Sequence, residues 1–238
     1  MSNSPTTNEA APENGSIILT HDLWRVYKVD SQEVAALRGV DLRIGDGRFI
    51  ALKGRSGSGK TTLLNCLGGL DRPTSGTVRV LGHELAQLDD ESLARWRREQ
   101  VGFVFQSFSL LPTLSAYENV ELMQRIQGQG AKERRECTLA CLEQVGLSKW
   151  LYHRPYEMSG GQQQRVAIAR SLANRPRLIL ADEPTGELDS ATAREILALF
   201  RRIVQTEGVT LLIVSHDALV DEYADQLLQL EDGQLVEL

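Results

Sequence analysis

The sequence predicts an α/β protein built on a mostly parallel sheet with covering helices. In the second half of the chain, an apolar run at Leu178–Asp182 is followed by a helical pattern over 191–206 and a second apolar run at Thr210–Val214. Strand, helix and strand in this order are typical of a parallel sheet. A glycine-rich loop at 54–61 also connects an apolar strand to a helix, and this arrangement favours the binding of phosphate groups.

Length and composition exclude several classes of protein. A chain of 238 residues can bury a large core without disulfides or a structural metal. The net charge of −6 argues against binding to nucleic acid, so no nucleic-acid partner is expected. No apolar run approaches the roughly 18 residues of a membrane span, and the first residues lack the features of a secretory signal. The three cysteines are expected to be reduced thiols, as in a cytosolic protein.

The other segments are assigned along the chain. Residues 1–15 are polar and predict a disordered tail, and residues 16–238 predict one domain. Short strand-like runs between 17 and 52, separated by turns, predict an antiparallel sheet that flanks the core. The helix-rich stretch at about 91–158 is predicted to be a helical subdomain, and two short strands are predicted around residue 232.

The glycine-rich loop is a complete phosphate-binding motif. Its residues match the pattern G-x-x-x-x-G-K-[ST] and are Gly54, Arg55, Ser56, Gly57, Ser58, Gly59, Lys60 and Thr61. Glycines let backbone N–H groups turn toward an anion, and the start of the helix adds partial positive charge. Lys60 is expected to bridge the β and γ phosphates of a nucleotide, and the Thr61 hydroxyl is expected to bind Mg²⁺. The alternative is a Gly/Ser turn with a surface lysine, which the flanking strand and helix disfavour.

Two adjacent acids follow the apolar strand at 178–181. They lie at its carboxyl end, where open parallel sheets bind their ligands. Asp182 is expected to reach the Mg²⁺ shell, and Glu183 to act as a general base or to orient water. Because acids after a strand are also common as turn or cap residues, this interpretation depends on the glycine loop.

A second glycine pair precedes a helix in the segment Met158-Ser159-Gly160-Gly161-Gln162. Ser159 is predicted to cap that helix, and the glycines expose a second set of backbone donors. Since one nucleotide needs only one cradle, the second is interpreted as serving a nucleotide held by another chain. An ordinary helix cap is the alternative.

Together these motifs resemble those of the ATP-binding subunits of ABC transporters, over residues 17–238. The glycine loop resembles Walker A, the segment 178–183 resembles Walker B with its catalytic glutamate, and 159–162 resembles the ABC signature. The resemblance implies a P-loop NTPase core with an antiparallel β edge subdomain and a helical subdomain. It also identifies Gln106 as the Q-loop glutamine, Asp189 as a D-loop residue, His216 as the switch histidine and Tyr27 as the aromatic that stacks on adenine.

The resemblance implies ATP as the nucleotide and Mg²⁺ as its cofactor. Hydrolysis is assigned to Glu183, His216 and Gln106, and Mg²⁺ binding to Thr61, Gln106 and Asp182. Two copies of the chain are expected to stack head to tail, so that each ATP contacts both. The residues expected to bind the nucleotide are Tyr27, Gly54, Ser56, Gly57, Ser58, Gly59, Lys60, Thr61, Thr62, Ser159, Gly160, Gly161, Gln162 and Asp189.

Three further stretches, 64–76, 97–106 and 180–186, resemble the lipoprotein-release and macrolide-export branch of this family. Met158 replaces the usual leucine before the signature, and its similar volume predicts no loss. The branch implies separate permease subunits in the membrane and a peripheral location on the cytoplasmic face of the inner membrane. The alternative is a soluble single-domain ABC ATPase of the cluster-assembly type. Glu183 and His216 disfavour a non-enzymatic nucleotide sensor.

Two other features receive structural interpretations. Cys137 and Cys141 are spaced by one helical turn and are expected to be partly buried thiols, since no third metal ligand lies nearby. The apolar stretch Leu110–Leu114 lies in an expected surface loop, and packing against the core is its default interpretation. In the family this stretch lies near the groove that takes the coupling helix of the permease.

Overall fold

The computed structural model describes residues 15–30 and 32–236. Apart from Gly15, the predicted disordered tail lies outside the described residues. None of the helices within the described ranges combines the length and hydrophobicity that crossing a bilayer requires.

A six-stranded sheet forms the centre of the molecule, and five of its strands are parallel, as predicted. Its spatial order is β10-β9-β3-β8-β7-β6. The strand β3 lies between β8 and β9, which follow it late in the sequence. The strands are β3 (Phe49–Lys53), β6 (Val101–Val104), β7 (Leu178–Asp182), β8 (Thr210–Val214), β9 (Gln226–Glu231) and the antiparallel β10 (Gln234–Val236).

The second sheet is antiparallel, in the order β2-β1-β4-β5. Its strands are β1 (Ser16–Val29), β2 (Gln32–Gly45), β4 (Ser75–Val80) and β5 (His83–Glu84). The predicted antiparallel sheet is therefore present, with two differences. The short runs after residue 17 join into one long strand whose register shifts near Asp22, where φ is 44°. Phe49–Leu52, which the sequence grouped with these strands, belongs instead to the parallel sheet because it pairs with β8 and β9.

Six α-helices cover the sheets within the described residues. They are α1 (Lys60–Leu67), α2 (Asp90–Gln100), α3 (Ala116–Ile126), α4 (Ala131–Gln144), α5 (Gly160–Leu172) and α6 (Ser190–Glu207). Four of them begin at a side chain that accepts a hydrogen bond from the first turn, namely Asp89, Ser115, Ser159 and Asp189. The cap at Asp189 places the start of α6 one residue before the predicted helix over 191–206.

The stretch 91–158 contains more than helices. Val101–Val104 forms β6 and pairs with β7 at the edge of the parallel sheet, which the sequence interpretation missed. This apolar run has only four residues, and periodicity alone cannot distinguish so short a buried strand from part of a helix. Beyond it, α3 and α4 are joined by a buried carboxylate, because Glu121 accepts hydrogen bonds from Arg125 and Arg134.

The parallel sheet separates two hydrophobic cores. Alternate side chains of each strand point to opposite faces, so Ala51 and Ile213 pack toward α3–α6, whereas Leu52 and Val214 pack toward α1, α2 and the antiparallel sheet. Both faces are thus buried, which explains the continuous apolar runs of the strands. Only the edge at the carboxyl ends of the strands is left for ligands.

Candidate nucleotide-binding site

Four strands of the parallel sheet carry predicted site residues to one edge. The strand β3 leads into the glycine loop, β6 leads to Gln106, β7 ends at Asp182 and β8 leads to His216. The strands are adjacent and parallel, so residues far apart in sequence meet above their carboxyl ends.

The glycine loop is enclosed by backbone from distant segments. A Cβ at Gly54 would collide with the carbonyl oxygen of Leu230, and one at Gly59 would collide with that of Ala36. Both glycines also have positive φ, 153° and 103°, where other residues are strained. Because Ser58 O accepts a hydrogen bond from the N–H of Gly233, at 3.0 Å, the loop is held in place on this side as well.

Polar groups inside this loop lack partners or have only local ones. The Lys60 side chain is buried and its Nζ donates to the carbonyl oxygens of Gly54 (2.9 Å) and Arg55 (2.8 Å). Ser58 Oγ is buried without a hydrogen-bond partner in the described structure. Gly59 offers no side chain to cap the first N–H groups of α1. An anion in the loop would satisfy these donors, so the residues present fit a phosphate group.

Thr61 and Asp182 lie next to each other below the loop. The Thr61 hydroxyl and the Lys60 ammonium group both lie close enough to the Asp182 carboxylate to favour its ionised form. Burial, together with the neighbouring charge of Glu183, raises the pKa of Asp182 despite these two favourable contacts. A hydroxyl and a half-buried carboxylate with too little countercharge are a donor set that suits Mg²⁺.

Glu183 and His216 form a pair beside this site. Glu183 Oε2 lies 3.0 Å from His216 Nδ1, and the histidine side chain is 67% exposed against 24% for the glutamate. Glu183 has a φ of 45°, and its N–H donates to the carbonyl oxygen of Val214 at 2.9 Å. The end of β8 therefore fixes the strained backbone that directs this carboxylate. A cavity of about 310 Å³ opens next to the pair, between Thr185 and Ser215.

Gln106 is exposed and lies beside the loop that follows β7. Its Nε2 is 3.3 Å from the position that a Cβ would take at Gly186. The next residues, Phe108 and Ser109, both have positive φ, 59° and 49°. Arg170 of α5 donates to both of their carbonyl oxygens and so stabilises this unusual backbone.

The predicted signature segment lies at the start of α5. Ser159 and Gln162 form a capping box, in which each side chain bonds the backbone N–H of the other residue, at 3.3 Å and 2.9 Å. A Cβ at Gly161 would lie 2.5 Å from Thr192 Cγ2, and one at Gly160 would lie 3.3 Å from Leu188. Within the described chain, no hydrogen bond connects this segment to the glycine loop.

Asp189 caps α6 from within the same chain. Its carboxylate accepts hydrogen bonds from the N–H groups of Ala191 and Thr192 and from the Thr192 hydroxyl. These bonds lower the pKa of Asp189. Since Gly161 packs on the same Thr192, the signature segment and the D-loop form one unit.

Tyr27 lies on β1, away from the edge of the parallel sheet but within reach of α1. Its hydroxyl donates to Asp71 at 2.6 Å, and the Thr62 side chain lies nearby. The Arg25 guanidinium lies over its ring, 4.3 Å from the centroid. Tyr27 is therefore tied to the helix that begins in the glycine loop.

The structure brings most predicted residues together and leaves one group apart. The glycine loop, Asp182, Glu183, Gln106 and His216 meet at one edge, with Ser56 and Gly57 exposed on the loop. The signature segment makes only local hydrogen bonds. Sequence reasoning missed Arg25, Asp71 and Arg170, which contact site segments, and their only signal was proximity to a motif in the sequence.

The comparison with protein families identifies the chain. The sequence model described as ABC transporter matches residues 37–186. The chain belongs to the ABC transporter family. The predicted family and ABC ATPase fold are thereby confirmed.

Relatives of this ABC transporter protein have the names expected for its branch. A lipoprotein-releasing system ATP-binding protein, LolD, from Anaeromyxobacter dehalogenans is 52% identical, and the match covers 84% of each chain. A macrolide export ATP-binding/permease protein, MacB, from Rhodopirellula baltica is 46% identical over 93% of this chain but only 33% of its own length. The chain thus spans about a third of the MacB relatives. The predicted branch is confirmed.

A solved structure shows the same fold. The dimeric post-hydrolysis state of the ATP-binding cassette MJ0796, bound to ADP and Pi, is 41% identical, with a TM-score of 0.85. The match covers 92% of this ABC transporter protein and 97% of that chain. ATP binding and hydrolysis are properties of this family of cassettes, and this chain is an ABC ATPase.

Proposed function

We propose that this chain hydrolyses MgATP in sites shared by two copies and that it powers a separate membrane permease of the lipoprotein-release or macrolide-export type. The observation that carries the proposal is the Glu183–His216 pair, with a 3.0 Å contact, beside a glycine loop whose buried Ser58 Oγ has no partner. A phosphate cradle and an oriented base at one edge are what hydrolysis of a phosphoanhydride needs.

The nucleotide is assigned to the glycine loop. Its phosphates bind the N–H groups at the start of α1 and the Ser58 hydroxyl, and Lys60 Nζ leaves its two carbonyl partners to contact them. This exchange favours binding because the lysine trades neutral acceptors for charged ones. Tyr27 is assigned to stacking on adenine, with Thr62 beside it.

Mg²⁺ is assigned to Thr61, Asp182 and Gln106. When bound, it supplies positive charge that stabilises the phosphate oxygens. Burial raises the pKa of Asp182 and so opposes its ionised form, which a divalent cation would stabilise. Gln106 is exposed beside Gly186 and would contribute an amide oxygen from the β6 side.

The chemical step is assigned to Glu183. Its carboxylate accepts a proton from the attacking water, and His216 holds the carboxylate in place and contacts the γ phosphate. The strained φ of Glu183 is consistent with this role, since such strain is maintained where it positions a reacting group.

The second half of each site comes from another copy of the chain. The signature segment exposes Ser159 and the N–H groups at the start of α5, yet it bonds only to itself. A helix start of this kind binds anions. Head-to-tail stacking, the arrangement predicted from the motifs, would place it on the ATP of the partner copy, and the MJ0796 cassette is dimeric.

The permease is assigned to a groove of about 460 Å³ between β6, α2, α3 and the Q-loop. Its lining combines exposed apolar side chains with arginines, and includes Leu70, Leu111, Ile126, Arg97, Arg98 and Arg170. This composition fits an amphipathic cytoplasmic helix with acidic residues. Docking there would hold the chain at the cytoplasmic face of the membrane. The relatives support transport and give no support to a soluble cluster-assembly ATPase.

The Glu183→Gln variant tests the chemical assignment. The amide keeps the shape of the side chain but cannot accept the proton, so ATP hydrolysis should fall by about 10²–10⁴-fold while ATP binding persists. Steady-state phosphate release and calorimetric ATP binding measure the two properties. The control is Glu143→Gln on the exposed side of α4. Hydrolysis by Glu183→Gln within twofold of wild type would contradict the assignment.

A further inference from the structure

Tyr27 is held by two side chains that no motif identified. Its hydroxyl donates to Asp71 Oδ2 at 2.6 Å, and Arg25 Nε donates to the same oxygen at 2.8 Å. The guanidinium of Arg25 also covers one face of the Tyr27 ring, 4.3 Å from its centroid. Arg25, Tyr27 and Asp71 therefore form a closed triangle, here called the Tyr27 clamp.

The clamp is sheltered, and its charges are matched. The side chains of Arg25 and Asp71 are only 23% and 22% exposed. Burial opposes the ionised form of Asp71, but the hydrogen bonds from Tyr27 and Arg25 outweigh it and lower the pKa of this carboxyl. Burial, followed by the hydrogen bond to Asp71, raises the pKa of Tyr27, so the phenol remains a neutral donor. A sheltered, charge-assisted contact is stronger than an exposed ion pair.

The clamp also connects two elements. Arg25 and Tyr27 lie on β1, whereas Asp71 follows α1, the helix that begins in the glycine loop. The Asp71 N–H donates in turn to the carbonyl oxygen of Asn65 in α1, at 3.2 Å. The ring is thus fixed relative to the helix that begins in the glycine loop, with one face covered by Arg25.

We propose that Arg25 and Asp71 are positioning residues that hold the Tyr27 ring ready to stack on the adenine base. This inference rests on the proposed function, in which Tyr27 is the adenine contact. A tyrosine fixed before binding loses less conformational freedom when the base arrives. Loss of the clamp should therefore lower the affinity for nucleotides that carry a base by about 3–10-fold. The affinity for ligands that consist of phosphate alone should not change.

The test compares MgADP with magnesium pyrophosphate, which has the same phosphates without the base. Isothermal titration calorimetry measures both affinities for the wild type and for Arg25→Met, Asp71→Ala, Asp71→Asn and Tyr27→Ala. Arg25→Met and Asp71→Ala are expected to lower the affinity for MgADP by about 3–10-fold. Their affinity for magnesium pyrophosphate should stay within twofold of the wild-type value. Asp71→Asn should recover part of the loss because its amide oxygen still accepts the Tyr27 hydroxyl. In ATPase assays of Arg25→Met and Asp71→Ala, the KM for MgATP should rise and kcat should stay at the wild-type value.

The matched control is Asp41→Ala, which removes another carboxylate of the antiparallel sheet that accepts hydrogen bonds from His21 and Asp22. This variant should change neither the affinity for MgADP nor the affinity for magnesium pyrophosphate. Equal weakening of MgADP and pyrophosphate in Asp71→Ala and Arg25→Met would overturn the inference, since it would show a structural role in the cradle. Unchanged MgADP binding in both variants would overturn it as well. If Tyr27→Ala itself binds MgADP normally, the adenine contact in the proposed function is wrong, which is a separate failure.

Discussion

At the scale of single residues, two adjacent carboxylates acquire different properties from their surroundings. Asp182 ends β7, lies near Thr61 and has a pKa raised by burial, whereas Glu183 turns away in a left-handed conformation and pairs with His216. The sequence predicted both acids from the apolar strand that precedes them. It did not predict the φ of 45° at Glu183, because that angle is set by a hydrogen bond to Val214, far along the chain.

The raised pKa of Asp182 leads to a prediction about stability. A folded-state pKa above the unfolded value means that the ionised carboxylate destabilises the native state at neutral pH, and that this cost disappears as the pH falls through the folded pKa. Asp182→Asn should therefore raise the melting temperature of the nucleotide-free protein by about 1–3 °C while it abolishes stabilisation by MgATP. Differential scanning fluorimetry with and without MgATP measures both. The control Asp90→Asn alters an exposed carboxylate, so it should change neither the melting temperature nor the stabilisation by MgATP. A lower melting temperature for Asp182→Asn than for the wild type would contradict the prediction.

The cysteines give a second prediction at this scale. The neighbouring Cys141 thiol lowers the pKa of Cys137, whereas burial raises the pKa of Cys66 to about 12. Since only thiolates react, alkylation of Cys137 by iodoacetamide should accelerate at a lower pH than that of an ordinary thiol, and Cys66 should stay unlabelled in the folded protein. Mass spectrometry of samples labelled between pH 6 and 9 measures this.

Cys141→Ala is the matched control for the labelling experiment. It removes the neighbouring thiol, so the pH profile of Cys137 should move up toward that of an ordinary thiol, about 8.5. A profile that is the same with and without Cys141 would show that the pair does not interact.

At the scale of elements, the packing of α5 on α6 depends on the absence of a side chain. The start of α5 comes so close to α6 that a Cβ at Gly161 would lie 2.5 Å from the methyl group of Thr192. Thr192 is fixed there because its hydroxyl bonds the helix cap Asp189. The signature glycine is thus required for packing within the chain as well as for exposing N–H groups.

A paired substitution tests this packing. Gly161→Ala should lower the free energy of unfolding by about 1–3 kcal/mol because the new methyl overlaps Thr192. Adding Thr192→Ser should restore most of the loss, since serine lacks the methyl group and keeps the hydroxyl that bonds Asp189. Chemical denaturation measures both, with Gly130→Ala as the control, where the nearest atom to the new Cβ is 3.8 Å away. If the double variant is no more stable than Gly161→Ala, the overlap is not the cause.

Elements with a clear pattern were predicted, and those defined by distant partners were not. The strand β8 and the helix α6 were predicted from the apolar pattern with bounds close to the observed ones. The strand β6 was missed because its four residues become a strand only by pairing with β7.

The site residues follow the same rule. Its motif residues are contiguous and were predicted, whereas Asp71 and Arg170 act on residues 44 and 62 positions away and were not.

At the scale of the whole molecule, the two halves of the proposed catalytic site lie in separate parts of one chain. The cradle and Glu183 lie at the edge of the parallel sheet, whereas the signature segment projects from α5 and bonds only locally. Under the proposed head-to-tail pairing, every ATP would use the Lys60 of one copy and the Ser159 of the other. Two defective chains could then complement each other.

Mixing Lys60→Ala chains with Ser159→Arg chains tests this arrangement. Each pure variant should be inactive, because both sites of its dimer carry one defect. The mixed dimer has one site with both defects and one intact site, so mixing should restore hydrolysis to no more than the activity of one site. Phosphate release measures the recovery, and nucleotide trapping at one site per dimer reports the same geometry if the two sites act only together. Wild-type activity in pure Ser159→Arg would contradict the composite site.

The walls of the glycine loop have a consequence for how the protein is made. Two of its contacts, the carbonyl of Leu230 and the N–H of Gly233, belong to the β9–β10 hairpin, and both neighbours of β3 also follow it late in the sequence. On the ribosome the loop emerges early, but these two contacts are synthesised only after all six described helices. Under the proposed function, a nascent chain would therefore complete its nucleotide site only when synthesis of the hairpin is complete. ATP would then stabilise the finished fold rather than an unfinished subunit.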